Sequence, residues 1–281
     1  MAAVDYSIMG VVNVTPDSFF DGGAHDAPDA AAAHAALLIE QGADIVDVGG
    51  ESTRPGAPPV SAADELERVV PVIAGIRAQN AATPISVDTM KRSVAEAAIA
   101  AGATYVNDVS AFGAEPELAG LVADAGVDCC LMHMQGEPRT MQDDPRYDDV
   151  VDDVRAYLEE RMRFAVSEGV AEEKIQLDPG IGFGKTLKHN LELLMRLDEI
   201  AALGRPVVIG VSRKSFISRI AQERGVSGVD VQDRLPGTIA ANTLALERGA
   251  SVFRVHDVAE AAQSLAVAAE ALGVATRPIA G

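Results

Sequence analysis

The 281-residue chain has no tryptophan, only four tyrosines and seven phenylalanines, and just two cysteines. The cysteines are the adjacent pair Cys129 and Cys130 inside an apolar run, so a disulfide framework is excluded and a buried, reduced pair is expected. No apolar run reaches the roughly 18 residues needed to span a bilayer. No basic stretch followed by an apolar segment opens the chain, so neither a membrane span nor a secretory leader is expected. Basic residues are scarce: 23 Lys and Arg face 42 Asp and Glu, a net charge of −19. Such a chain repels phosphate backbones, which makes nucleic acid and anionic membranes poor partners. Glycine (25) and proline (14) are ordinary, and 48% hydrophobic residues exclude a disordered or collagen-like chain. A cytoplasmic globular protein is expected.

What is present is an alternation. Short Val- and Ile-rich runs at 7–14, 44–49, 84–88, 105–108, 128–133, 174–178, 206–212 and 251–256 read as strands. Longer Ala-, Leu- and Glu-rich stretches follow, near 28–42, 61–80, 90–102, 115–126, 148–169, 187–203, 213–224, 233–249 and 257–273. Strand–helix alternation repeated eight times predicts a (β/α)8 TIM barrel, and the length suits one domain over 1–281. Gly42, Gly102, Gly126, Gly169, Gly204 and Gly249 each precede a strand, where a glycine ends a helix. Asp88 and Asp257 stand where N-caps belong.

In such a barrel chemistry sits at the C-terminal ends of the strands. Every strand here brings polar groups to that end: Asn13; the 49–56 loop; Asp88; Asn107 and Asp108; Met132 and His133; Asp178; Ser212 to Lys214; Arg254, His256 and Asp257. Unpaired buried polar groups are unfavourable, so a purely structural barrel has little reason for this convergence. Asp88, Asn107 and Asp178 suit a polar heterocycle with N–H donors. Arg54, Lys214, Arg254 and His256 suit phosphate or carboxylate. Other chemistries fail on spacing. In 178–186, Pro179 stands where a P-loop requires glycine; the histidines lack zinc-ligand spacing; no G-x-S-x-G occurs. His34 and His189 read as helix-surface residues.

The segments MGVVNVTPDSFFDGG (9–23), DVGGESTRPGA (47–57), SVDT (86–89), VNDVS (106–110), LMHMQGEPRTMQ (131–142), DPGIGFGKT (178–186), SRKSFI (212–217) and RVHDV (254–258) occur in this order. Together they resemble the dihydropteroate synthase family of pterin-binding barrels, over about 7–260. The resemblance implies folate-biosynthesis chemistry: (7,8-dihydropterin-6-yl)methyl diphosphate and 4-aminobenzoate condense to 7,8-dihydropteroate and diphosphate. It implies that Asn13 contacts Mg2+ beside the diphosphate. Asp88, Asn107, Asp178 and Lys214 would bind the pterin, with Met132, Phe183 and Gly210 lining its pocket. Arg54, Arg254 and His256 would receive the diphosphate. Phe19, Thr53, Pro55 and Ser215 would form the 4-aminobenzoate pocket, and Asp17 sits in a closing first loop. Asp88, Asp178, Lys214 and Arg254 are the expected catalytic set, and a homodimer is implied. Phe20 and the residues after Asn107 depart from the family pattern without removing a contact.

Loss of diphosphate leaves positive charge delocalised into the pterin, so the carboxylates are expected to be ionised at neutral pH beside Lys214. Two other readings share the barrel. A corrinoid-linked methyltransferase would not need the STRPG loop or the RVHDV cluster, both present. A non-catalytic paralogue should lack one of Asn13, Arg54, Lys214 or Arg254, and none is missing.

The scattered acids fit a high-salt cytoplasm, with an ordinary acidic protein as the alternative. Salt screens self-repulsion, so the high-salt reading expects the melting temperature to rise from low to molar KCl. A flat profile in a thermal-shift titration would leave the ordinary reading.

Overall fold

The computed structural model describes residues 6–15, 27–53, 56–226 and 228–274. Eight parallel strands close in sequence order into a barrel: β1 (Ser7–Asn13), β2 (Ile45–Gly49), β3 (Ile85–Asp88), β4 (Tyr105–Asp108), β5 (Asp128–Met132), β6 (Ile175–Asp178), β7 (Val207–Ile209) and β8 (Ala250–Val255). The helices around it are α1 (Ala27–Glu40), α2 (Ala62–Gln79), α3 (Arg92–Ala100), α4 (Glu117–Ala125), α5 (Val150–Ser167), α6 (Leu187–Met195), α7 (Leu197–Ala201), α8 (Ser215–Glu223), α9 (Leu235–Glu247) and α10 (Val258–Leu272). This is the (β/α)8 TIM barrel that the alternation predicts. No described helix is long and apolar enough to cross a membrane.

The strands read as continuous apolar runs because both faces are buried. Side chains alternate, so each strand feeds two cores. Ile8, Val12, Val46, Val48, Val87, Val106, Leu131, Leu177, Phe253 and Val255 pack outward against the helices. Met9, Ile45, Tyr105, Cys130, Val208 and Val252 form a separate cluster inside the barrel. The two cysteines illustrate the division. Both are free and buried, yet Cys129 joins the outer core and Cys130 the inner one.

Local chemistry sets the boundaries, with four corrections. The glycines proposed as helix stops all have positive φ, and Gly126 caps α4 in the left-handed conformation. Asp88, however, caps nothing: it ends β3 inside the barrel, and α3 starts from Lys91 without a side-chain cap. Asp257 occupies the N-cap of α10, but its carboxylate pairs with Arg213 instead. The single helix expected over 187–203 breaks at Arg196. There the backbone turns to φ −115° and the side chain binds Asp149, Glu192 and Glu199. β7 is also shorter than expected, because β6 and β7 share one register pair and the β7–β8 register shifts at Val207/Val208.

Gly237, near the start of α9, lies against α8: a Cβ there would stand 2.3 Å from Cγ2 of Ile217. At an open helix position Gly→Ala stabilises by roughly 1 kcal/mol. Here overpacking dominates, so Gly237→Ala is expected to lose roughly 1–3 kcal/mol in urea unfolding. A gain in stability would show that α8 and α9 do not meet at this point.

Candidate active site

The two-residue period that divides the cores also selects what faces the barrel axis. Across the register, Asn13 lies beside Gly49, Gly49 beside Asp88, Asp88 beside Asn107, Asn107 beside Cys130, and Met132 beside Asp178. Asp88, Asn107, Met132 and Asp178 are all buried. Below them the inner cluster is apolar, and Tyr105 donates its hydroxyl hydrogen bond to Gln176 at 2.9 Å. The barrel interior is thus apolar at its floor and charged at its C-terminal rim.

Arg254, on β8, crosses this rim. Its Nε donates to Asp47 Oδ2 at 2.6 Å and its Nη2 to Asp88 Oδ2 at 2.8 Å. Asn107 Nδ2 donates to the same Asp47 oxygen at 3.3 Å. Lys214 donates to the Ile181 carbonyl and lies 4.5 Å from the Phe183 ring centroid. Asp178 accepts from the Gly180 amide at 2.6 Å. His256 is held by Ser212, whose Oγ contacts its amide at 3.2 Å and its Nδ1 at 3.0 Å.

Burial governs the titration of this group. It pushes the Asp88 carboxyl up to about 7, against the opposing pull of Arg254 and with help from Asp47. Burial thus works against ionisation of Asp88, while the Arg254 guanidinium 2.8 Å from its Oδ2 favours the charged form. Burial also raises Asp178, opposed first by Lys214. Lys214 is pulled down to about 8 by burial, with Asp178 resisting and Arg254 assisting. Burial alone would lower Arg254, but Asp47 and Asp88 outweigh it and hold its proton firmly.

Several strand-end groups turn the other way. Asp108 faces outward and binds the Ser110 and Phe112 amides, fixing a turn in which Ala111 and Phe112 have positive φ. His133 also leaves the axis, packing edge-on to Tyr157 at 4.9 Å. Its Nδ1 is 2.8 Å from Lys185 Nζ, and Lys185 also donates to the Phe183 carbonyl at 3.0 Å. Burial lowers the pKa of Lys185 far from the usual lysine range and, with Lys185 adding to it, takes His133 to about 3. This lysine is internal, which agrees with rejecting a P-loop. The glycines of that segment serve packing: a Cβ on Gly180 would stand 1.9 Å from the His133 carbonyl oxygen. His189 is no bare surface residue; its Nδ1 accepts from the Thr186 amide in the capping box of α6.

Gly210, a position beyond β7, faces Arg254: a Cβ there would be 4.0 Å from that of Arg254. Ser215 begins α8 and is exposed. Thr53 follows Glu51, which anchors its loop by accepting from the Val60 amide at 3.1 Å and from Lys91 at 2.5 Å. Asp17, Phe19, Arg54 and Pro55 lie outside the described residues. Sequence reasoning missed Asp47, whose one signal was an acid at an inward position of an otherwise apolar strand.

No group of three or more His, Cys, Asp or Glu able to hold a metal occurs among the described residues. Asn13, half-buried at the end of β1, offers one amide oxygen. That donor set does not make a protein cage. It fits an ion such as Mg2+ that keeps waters and takes other ligands from substrate phosphates.

The chain and its fold have counterparts among known proteins. The sequence profile described as "pterin binding enzyme" matches residues 9–256. The dihydropteroate synthase of Escherichia coli K12 is 46% identical over 260 residues, covering 92% of this chain and 89% of the relative. The structure of Xanthomonas albilineans dihydropteroate synthase with 4-aminobenzoic acid superposes with a TM-score of 0.87 at 45% identity, over 96% of this chain and 94% of that one. Another structure of the Xanthomonas enzyme, in complex with 7,8-dihydropteroate, gives 0.84 at 42% identity, over 96% and 95%. With the fold and nearly the whole length in common, this chain belongs to the pterin-binding enzyme family, among its dihydropteroate synthases.

Proposed function

We propose that the barrel rim condenses (7,8-dihydropterin-6-yl)methyl diphosphate with 4-aminobenzoate, giving 7,8-dihydropteroate and diphosphate. The observation that carries this reading is the meeting of Asp88, Asn107, Asp178, Lys214 and Arg254 at one end of a single barrel. Asp88 and Asp178 are acceptors for the N–H edge of the pterin, and Asn107 and Lys214 are donors to its acceptor atoms. Met132, Phe183 and Gly210 bound the ring. His256 and Arg54 receive the diphosphate. Arg254 stands between these duties, because two of its nitrogens already face Asp47 and Asp88. Thr53, Pro55, Phe19 and Ser215 hold 4-aminobenzoate, with Asp17 in the loop that closes over it. Asn13 would hold Mg2+, which supplies charge neutralisation at the diphosphate when bound. A cytoplasmic homodimer completes this reading, on the family resemblance.

In this scheme the methylene C–O bond breaks with its electron pair leaving on diphosphate. The amine nitrogen forms the new C–N bond and afterwards releases one proton to solvent. Positive charge develops on the ring as the bond breaks, and Asp88 and Asp178 stabilise it from buried positions on the rim, where such interactions are strong. Binding the two substrates side by side supplies much of the remaining acceleration.

Diphosphate release is expected only when both substrates are present, and to weaken without Mg2+. Asp178→Asn should lower kcat/KM by roughly two orders of magnitude, the scale of losing one preorganised group. Release without 4-aminobenzoate, or an unimpaired variant, would contradict the assignment.

A pH dependence follows from Lys214. Its pKa of about 8 means that the ammonium is lost as pH rises through that value. The kcat/KM for the pterin substrate, which reports the free enzyme, should fall above pH 8. In Lys214→Arg the guanidinium stays charged, so any remaining activity should lose that alkaline limb. A limb that persists in the variant would assign it to another group.

A further inference from the structure

We propose that Asp47 is the positioning residue of the pterin site, holding Arg254 and Asn107 in place through a single carboxylate oxygen beneath the ring. This rests on the functional reading above and extends it to a residue that does not itself reach the substrate.

Asp47 is completely buried, in the middle of a strand whose other residues are Ile, Val, Val and Gly. A carboxylate is very unfavourable in such a place unless something specific uses it. Oδ2 accepts from Arg254 Nε at 2.6 Å and from Asn107 Nδ2 at 3.3 Å. Three strands, β2, β4 and β8, thereby meet at one atom, and Arg254 Nη2 carries the connection to Asp88 on β3. A long arginine side chain has many rotamers; two carboxylates at defined spacing leave it few. Gly49, next inward on the same strand, would place a Cβ 3.4 Å from that of Asp88 and 3.7 Å from Asp88 Oδ2. Asp47 therefore stands one inward position before Gly49, with Arg254, Asn107 and Asp88 arranged around it. Its second oxygen, Oδ1, has no hydrogen-bond partner among the described residues, and neither has the hydroxyl of Ser86, its register neighbour on β3.

Positioning and a merely structural role differ in sign. If Asp47 acts through Arg254, removing the aspartate alone strands the guanidinium at Nε, whereas removing both spares that cost; Asp88, the arginine's other partner, loses its cation in both Arg254→Met backgrounds, so its share cancels within the cycle. If Asp47 only supports the barrel, losses should add. The test is a double-mutant cycle of Asp47→Asn and Arg254→Met, read in two ways. One reading is kinetic, with KM and kcat determined separately for the pterin diphosphate and for 4-aminobenzoate. The other is thermal unfolding, together with equilibrium binding of 6-hydroxymethylpterin. Unfolding and binding need no turnover, so they judge Asp47 even if the proposed reaction fails in the wild-type protein.

Asp47→Asn alone should weaken the pterin side by roughly 10- to 100-fold, as when a partner that orients a ligand-contacting group is lost. KM for 4-aminobenzoate should stay within about 2-fold, inside the usual scatter of such measurements. In the Arg254→Met background the same change should be neutral or favourable to pterin binding and melting temperature. If Asp47→Asn alone does not fold, the double variant should regain a cooperative transition. Additive losses in the cycle would overturn the proposal, as would an equal loss for both substrates or a double variant less stable than either single one.

Discussion

Arg254 lying between Asp47 and Asp88 is the interaction around which the rim is arranged. A guanidinium stays protonated when buried, provided that carboxylates face it, and its planar fork fixes their spacing. With that cation in place, the interior can carry acids that would otherwise be neutralised or excluded. Arg254 opposes the rise that burial imposes on Asp88, and Lys214, across the rim, is lowered by burial and further by the same positive charge. Asp88, Asp178, Lys214 and Arg254 are thus mutually biased charges, each shifted from its ordinary value.

This arrangement is possible because the fold separates packing from chemistry. The helices cover the outward residues and supply most of the core, while an inner apolar cluster fills the barrel floor. The rim is then free to hold polar groups on short strand ends. A polar residue one position out of phase is diverted to architecture. Asp108 fixes a turn and His133 partners Lys185, though each is adjacent in sequence to a residue that faces the axis.

The loops are tied to the same frame. Glu51 and the fully buried Glu65 share Lys91, which fastens the segment after β2 to α2 and to the start of α3. The glycine-rich segment after β6, which carries Phe183, presses against the loop after β5 by backbone contact, and Lys214, from the segment after β7, reaches across to its Ile181 carbonyl. Both devices hold side chains to distances that a free loop would not keep.

The amino-acid order alone determined the number and sequence of the βα units, most boundaries within two residues, and the reduced cysteines. Those features depend on local periodicity and on glycine and proline, which act over a few residues. It also brought Asp88, Asn107, Asp178, Lys214 and Arg254 forward, because parity and position at strand ends can be read along a chain. Only the closed barrel decided which charges meet. Asp47 and Arg254 are 207 residues apart, and nothing local signals that β8 returns beside β1 to set the arginine over the second strand. Closure likewise decided that the Asp88 carboxyl is raised by burial and opposed by Arg254, since desolvation is a property of everything packed around a group and not of its neighbours in sequence.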